Sequence, residues 1–336
     1  MGLLPLPLSL VLAVVPGSAT TLSAPIESSA PPSSPMPMTQ AAFETVLFEG
    51  DLSALTLACE DSARFGVNER LQLLRDRLML VAPSPQPFDV VMANARALIS
   101  CKAPDSAQVV LSRYGPGPGP RRREWLLLSW RAASAALDQE RIVLALMRLA
   151  DGDLARLDGE QLVVGVDEQG LPSTRSALDL LAEAQIASGQ SEQAVVSLLA
   201  GRTPGVIAAR RLGLAAELLG EIEPERSAPL LEAALDQAAA VQAWNQAEDL
   251  LRLQLRLELA SGGSGERPRE RLRRLATRVD DRFTLLDLDQ DLPGASLEQR
   301  RQLQQQLRSP RDPGGHASLG ESPASEAGRG GVDEQP

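Results

Sequence analysis

The chain has 336 residues, 43% hydrophobic and only 3% aromatic residues, and a formal net charge of -11. Its length allows a sizeable core, and the scarcity of aromatic residues leaves leucine and alanine to fill it, which favours helix-on-helix packing over a β-sandwich. A negative net charge repels a phosphate backbone and so argues against nucleic-acid binding. The single histidine, His316, removes most metal, triad and general-base arrangements.

The two ends of the chain differ from its middle. Residues 1–19 combine an apolar run with a small-residue site at the end, a pattern that resembles a secretory signal peptide; an apolar leader is the alternative. Residues 20–38 predict a disordered Ser/Pro/Ala-rich linker, and residues 309–336 predict a disordered tail. The sequence therefore predicts one folded region, residues 39–308, in an extracytoplasmic space, the periplasm of a bacterium, with the cytoplasm as the alternative.

The folded region is predicted to be all-α, because its apolar residues recur every three to four positions in short paired segments. Gly50-Asp51, Asp138 and Gly189 each separate two such segments. A glycine readily ends a helix, and an aspartate caps the one that follows. The pattern predicts about a dozen short helices joined as hairpins.

The clearest hairpin spans residues 176–200, and the next is predicted over residues 212–220 and 226–240. Gly220, the last residue predicted for the first of these helices, follows Gly189 by 31 residues. This spacing, with small residues where the helices would cross, resembles that of tetratricopeptide repeats over roughly residues 39–259. The signature Trp-Leu-Gly-Tyr set is absent, and 51 residues separate Asp138 from Gly189. The resemblance implies a right-handed α-solenoid of tetratricopeptide-like (TPR-like) hairpins with one small insertion.

Three further segments carry their own signals. Residues 151–173 contain a β-like run at residues 162–166 and predict the insertion, a small hairpin or lid. Alternating Gly and Pro over residues 113–125 predict an irregular connector. An apolar stripe over residues 268–283 predicts a helix, and Ser296 begins a capping box for a last polar helix.

Cys59 and Cys101 are the only cysteines, and both fall on predicted helices beside apolar neighbours. In an oxidising compartment two cysteines favour one disulfide, whereas in a reducing compartment they are small buried apolar residues. The sequence leaves both interpretations open, because it does not show whether the two Cα atoms lie close enough.

A calcium loop is the sharpest metal hypothesis. Asp287, Asp289, Asp291 and Glu298 occupy positions 1, 3, 5 and 12 of the calcium-loop pattern. Leu292, however, stands where the pattern requires glycine, so an acidic loop that caps the following helix explains the same residues. No cofactor motif is present, neither a P-loop nor a GxGxxG sequence after a strand.

Arginines form two basic stretches. Arg271, Arg274 and Arg278 belong to the first, and residues 121–123 form the second. Because acidic residues interleave the first stretch, a solvated face is one interpretation, and docking of an acidic partner is the other. Peripheral contact with an anionic membrane is less favoured, and nucleic acid least, since no aromatic platform accompanies the arginines.

No enzyme signature such as GxSxG or HExxH is present. A stack of helices offers a groove that binds peptides or protein surfaces, so the sequence predicts a non-enzymatic protein–protein interaction scaffold or adaptor that holds a partner segment in this groove. One alternative is a helical platform domain associated with a cell-envelope enzyme, which a pocket of buried carboxylates would favour. A calcium-stabilised structural protein is the other.

Overall fold

The structure is a computed structural model that describes residues 36–80 and 86–290, together with the isolated positions 298 and 301. This part of the chain is predominantly helical, as predicted, with fourteen α-helices, one 3-10 turn and one two-stranded hairpin. The elements are, in chain order, α1 (Gln40–Glu49), α2 (Leu52–Arg64), α3 (Asn68–Leu80), α4 (Phe88–Ser100), α5 (Pro104–Ser112), α6 (Pro120–Ala136), α7 (Gln139–Ala150), the 3-10 turn (Leu154–Leu157), β1 (Gln161–Val166), β2 (Pro172–Ser176), α8 (Ala177–Ala187), α9 (Ser191–Leu199), α10 (Val206–Ile222), α11 (Pro224–Ala240), α12 (Trp244–Ala260), α13 (Glu266–Arg278) and α14 (Arg282–Gln290).

The helices pack mainly against their neighbours in the chain. Each helix contacts the next one, and further contacts join helices two places apart, such as α2 with α4, α4 with α6 and α10 with α12. The buried apolar side chains accordingly form four successive clusters, which span residues 43–132, 130–184, 182–219 and 209–288. The core is therefore a series of local helix–helix interfaces that follow the order of the sequence.

Three of the predicted helix boundaries are confirmed. Asp51 caps α2 by accepting a hydrogen bond from the Ala54 N–H at 2.8 Å, and Asp138 caps α7 by accepting one from the Arg141 N–H at 3.0 Å. Gly189 joins α8 to α9 with a φ of 73°, a left-handed conformation that glycine adopts without steric cost.

The prediction that Gly220 ends a helix is wrong. Gly220 lies inside α10, which continues to Ile222. A Cβ atom at position 220 would lie 2.7 Å from Leu257 Cδ2 of α12, so the glycine allows two helices to approach closely rather than stopping one. The helix stops instead before Pro224, which occupies the first turn of α11, where its missing N–H costs nothing.

Two other predicted boundaries also need correction. The irregular connector predicted over residues 113–125 ends at residue 119, because α6 begins at Pro120. The second arginine stretch, residues 121–123, is therefore helical. The single helix predicted over residues 268–283 is two helices, α13 and α14. Asp280 separates them with a φ of 55°, and Asp281 Oδ1 accepts the N–H groups of Phe283 and Thr284 at the start of α14.

The predicted insertion is a β-hairpin. Strand β1 pairs antiparallel with β2, from Gln161 opposite Ser176 to Val166 opposite Pro172, with an irregularity between Val163 and Gly165. Ser176 ends β2 and caps α8, and its Oγ donates to backbone oxygens at the end of the 3-10 turn. The hairpin is thereby tied directly to the turn before it and to the helix after it.

The segment predicted to be a signal peptide, most of the predicted linker and the predicted C-terminal tail lie outside the described residues. At the N-terminal boundary, the Met38 N–H donates to Asp61 Oδ2 at 2.9 Å and the Met38 carbonyl accepts from Arg70 Nη1 at 2.7 Å. Within the described ranges, no helix combines the length and the apolar character needed to cross a membrane.

Candidate functional site

Helices α6 and α7 border a groove made of two adjoining cavities. The larger cavity, of about 430 Å³, lies between the start of α6, the end of α7 and the 3-10 turn. The smaller one, of about 140 Å³, lies against α5, α6 and α7. Because Leu126 and Arg148 line both cavities, we treat the two cavities as one site, which we name the α6–α7 groove.

The floor of the α6–α7 groove is apolar. Leu126, Leu149 and Leu157 line the larger cavity, and Trp125 and Leu144 line the smaller one. Trp125 and Leu126 are adjacent on α6, Leu144 and Leu149 lie on α7, and Leu157 ends the 3-10 turn. The floor therefore offers an apolar surface that crosses from one cavity to the other.

The larger cavity also contains two ion pairs. Arg123 Nη2 lies 2.5 Å from Glu160 Oε1, and Arg156 Nη1 lies 3.7 Å from Asp151 Oδ2. The hydrogen bond to Glu160 raises the pKa of Arg123. Each carboxylate of the cavity is thus neutralised by an arginine of the same cavity.

Two further arginines leave the α6–α7 groove with an excess of positive charge. Arg122 and Arg148 line the larger cavity, and neither has an ion-pair partner among the described residues. In the smaller cavity, Ser129 is only 8% exposed, and its Oγ has no hydrogen-bond partner in the described part of the chain. The groove therefore holds two unpaired cations and one unpaired hydroxyl.

A buried arginine lies next to the groove. Arg211 of α10 is 3% exposed, and its Nη1 and Nε lie 2.6 Å from Asp158 Oδ1 and Asp179 Oδ1 respectively. Asp158 Oδ2 also accepts the N–H groups of Arg202 and Thr203 at 2.7 and 2.8 Å. We name Arg211, Asp158 and Asp179 the Arg211 cluster; it joins the end of the 3-10 turn to α8, α10 and the loop after α9.

The charges of the Arg211 cluster stabilise one another. Burial alone raises the pKa of Asp158, but hydrogen bonds from Arg211, from the Arg202 N–H and from Thr203 outweigh it and lower the pKa to about 2. Burial likewise lowers the pKa of Arg211, and its hydrogen bonds to Asp179 and Asp158 raise it above the ordinary value. Asp158 and Arg211 therefore carry full charge at neutral pH. The carboxylates of Asp158 and Asp179 accept hydrogen bonds within the protein and are not presented to a ligand.

The lowered pKa of Asp158 predicts a loss of stability in acid. Its ionised form contributes stability that is present above the pKa of an unfolded aspartate, about 3.9, and that is lost as pH falls towards 2. The shift corresponds to about 2 kcal/mol. We expect the free energy of unfolding, measured by denaturant titration between pH 5 and pH 2, to fall less steeply in Asp158→Asn than in the wild type. Equal slopes would contradict the assignment.

Another cavity, of about 600 Å³, lies between α10, α11, α12 and the start of α13. Its lining includes Pro229, Leu231 and Leu257, with Glu232 as an acidic group. Burial raises the pKa of Glu232, but hydrogen bonds from Gln254 and Arg271 lower it below its usual value. The Glu232 carboxylate is thus already paired within the protein.

The two cysteines form a disulfide. Cys59 of α2 and Cys101 at the end of α4 are joined, with their Cα atoms 4.6 Å apart, and both are fully buried. The sequence leaves open whether the two cysteines form a disulfide or are separate buried thiols, and in the structure they form the disulfide.

The three arginines proposed from the sequence as a partner surface each have a contact within the chain. Arg271 Nη1 donates to Glu232 Oε1 at 2.8 Å, and Arg274 forms an ion pair with Glu270. The Arg278 guanidinium lies 4.6 Å from the centroid of the Trp244 ring. The unpaired guanidinium groups of the α6–α7 groove lie elsewhere, on α6 and α7.

The structure describes only part of the predicted calcium loop. Asp287 and Asp289 lie in α14, Glu298 occupies a helical position, and Asp291 lies outside the described residues. In the described ranges, no group of three or more His, Cys, Asp or Glu side chains is placed to hold a metal ion. The calcium loop stays a prediction that depends on residues beyond Gln290.

Several residues in or beside the candidate site escape prediction from the sequence, among them Arg148, Arg156 and the Arg211 cluster. One signal for Arg211 exists: it precedes Ala215 and Leu219 at four-residue spacing, and those two positions are buried. A charged residue on an apolar stripe points to a buried ion pair. No comparable signal marks Arg148, which resembles any exposed arginine of a helix.

The described residues form a predominantly helical fold that carries a basic surface groove with an apolar floor and, beside it, a buried ion cluster. No protein-family model and no curated protein matches the chain. The helical pattern therefore assigns the chain to no family, and its resemblance to tetratricopeptide repeats stays a proposal.

Proposed function

We propose that the protein is a non-enzymatic adaptor that holds a segment of a protein partner in the α6–α7 groove, within a right-handed stack of TPR-like hairpins. The observation that carries the proposal is the groove itself, in which an apolar floor lies beside polar groups unpaired within the described chain. A bound segment would cover the apolar floor and provide partners for Arg122, Arg148 and Ser129. Apolar contacts would give affinity, and the polar groups would fix the register of the segment.

The elements around the α6–α7 groove support this role because they are fixed by contacts with the rest of the protein, α6 through the core and the segment after α7 through ion pairs. Helix α6 contributes buried residues to two successive core clusters. Leu157, in the floor of the groove, directly precedes Asp158 of the Arg211 cluster, and Glu160, which lines the same cavity, is bound by Arg123. A groove held in this way needs little reorganisation to bind, which favours affinity.

An extracytoplasmic location, the periplasm of a bacterium, is part of the proposal. Two observations support it. The buried disulfide is typical of proteins that fold in an oxidising compartment. The apolar run and small-residue site of residues 1–19 resemble a secretory signal peptide.

A substitution in the groove floor tests the proposed function. Leu144 is 48% exposed and lines the smaller cavity, so Leu144→Glu should leave the fold intact and introduce a charge where the partner's apolar side chain would lie. We expect affinity capture from the native host, quantified by mass spectrometry, to retain a partner with the wild type and at least about tenfold less of it with Leu144→Glu. The glutamate would remove apolar contact area and would compete with the partner for Arg148, one helical turn away.

The matched control is Val196→Glu on α9. Val196 is an apolar residue with a comparable exposure of 60%, and it does not line either cavity of the groove. The control should retain the same partner as the wild type. A partner lost equally from both variants, or retained equally by both, would contradict the assignment of the α6–α7 groove as the binding site.

A further inference from the structure

We infer that the segment bound in the α6–α7 groove is an acidic peptide, with Asp or Glu side chains next to an apolar one. The inference rests on the proposed function, because it takes the occupant to be a segment of a protein partner. It adds the chemical class of that segment and the residues that select it, Arg122 and Arg148.

The balance of charge in the larger cavity favours carboxylates in the ligand. Four arginines line it against two carboxylates, and Arg123 and Arg156 are paired with those two. Arg122 and Arg148 are left with no counter-charge among the described residues. Arginine binds a carboxylate through two parallel N–H donors, so each of the two offers a ready site for one acidic side chain.

The charge of the whole chain strengthens this selection. The protein carries a formal net charge of -11, so on average it repels an acidic segment. A groove with a local positive excess on a negative protein focuses an acidic ligand to one place and disfavours binding elsewhere. A neutral or basic segment would gain no such preference.

The smaller cavity supplies a second, independent indication. Ser129 is more than nine-tenths buried, and its Oγ lacks a hydrogen-bond partner in the described part of the chain, although its carbonyl accepts a hydrogen bond from Gln108. Buried polar groups are rarely left unpaired, and each such case calls for an explanation. A carboxylate or backbone carbonyl of a peptide that extends into this cavity would accept the Ser129 hydroxyl.

The apolar floor of the groove indicates that the ligand also carries an apolar side chain. Leu126 is buried and lines both cavities, and Leu144 and Leu149 flank it. An apolar side chain of the peptide would lie on this floor between the acidic ones. Because desolvation strengthens charge-assisted hydrogen bonds, the apolar contact and the ion pairs reinforce each other.

The test is a selection of short random peptides displayed on phage, carried out on the full-length purified protein. We expect the selected peptides to be enriched in Asp and Glu beside an apolar residue. A synthetic selected peptide should bind the wild type, and the same peptide with Asn and Gln in place of Asp and Glu should not. Binding should weaken as sodium chloride is raised, because exposed ion pairs are screened.

Substitutions of single arginines test whether the peptide binds in the α6–α7 groove. Arg122→Gln and Arg148→Gln should each weaken the peptide about tenfold, since a hydrogen bond to a charged group contributes roughly 1.5 to 3 kcal/mol. The matched control is Arg131→Gln, an exposed arginine of α6 that lines neither cavity, and it should bind as the wild type does. Circular dichroism of all three variants should match the wild type, because none of these arginines has an ion pair in the described chain.

The outcomes separate the inference from the proposed function. Selected peptides that lose binding in Leu144→Glu but carry no excess of Asp or Glu would overturn the acidic class and leave the groove as the partner site. A selection that enriches no peptide whose binding depends on the groove would overturn both. Binding to phosphatidylserine vesicles through Arg122 and Arg148, in place of peptide binding, would overturn the inference in favour of a lipid surface.

Discussion

Replacement of Arg211 by methionine is expected to lower the free energy of unfolding by about 3 to 5 kcal/mol, the range found when one partner of a buried ion pair is removed. The guanidinium is 3% exposed and bonded to both Asp158 and Asp179. Methionine has a similar length but no charge, so Asp158 would be left buried without its counter-ion. The loss would be measured by urea denaturation at pH 7.

The neighbouring residue provides a matched control. Arg210 forms an ion pair with the same Asp179 at 2.9 Å, but its side chain is 57% exposed. Exposed ion pairs contribute about 0 to 1 kcal/mol, so Arg210→Met should change the free energy of unfolding by less than about 1 kcal/mol. Equal losses in the two variants would contradict the assigned role of burial. Adding Asp158→Asn to Arg211→Met should recover part of the loss, because it removes the unpaired charge.

Removal of the disulfide is expected to have an effect of similar size. The Cys59→Ala/Cys101→Ala variant should lose about 4 kcal/mol, because the bond closes a loop over a sequence separation of 42 residues and so restricts the unfolded chain. The bond also joins α2 to the end of α4 inside the first core cluster. Urea denaturation of the variant, of the wild type, and of the wild type with reductant would measure the loss.

Thiol labelling provides the control for this prediction. Protein isolated from an oxidising compartment and unfolded without reductant should expose no reactive thiol, whereas the reduced protein should expose two. Full labelling of the unreduced protein, or equal stability of the variant and the wild type, would contradict the structural role of the disulfide.

Local patterns in the sequence predict much of the secondary structure. Asp51 and Asp138 are recognisable as caps, and the valine-rich run at residues 162–166 is recognisable as a strand, because both signals depend on near neighbours in the chain. Gly220 misleads for a related reason. A glycine that ends a helix and a glycine that admits another helix look the same in the sequence, and only the position of Leu257 distinguishes them.

The site is harder to predict, since it depends on contacts between distant residues. Arg211 and Asp158 are 53 residues apart, and the sequence around either residue contains no signal that identifies its partner. The arginine stretches show the same limit. Arg271 and Arg122 both belong to basic stretches, yet Arg271 is paired with Glu232, 39 residues away, whereas Arg122 lines the groove without an ion pair in the described chain.

Site-specific photo-crosslinking at Leu144 tests the central claim most directly. A photoreactive residue at position 144, introduced into the protein in its native host, should form an adduct with one partner, and the crosslinked segment mapped by mass spectrometry should carry Asp or Glu beside an apolar residue. The same residue at position 196, on α9, should not form that adduct. The absence of an adduct specific to position 144, or the same adduct at both positions, would contradict the account that the α6–α7 groove holds a partner segment.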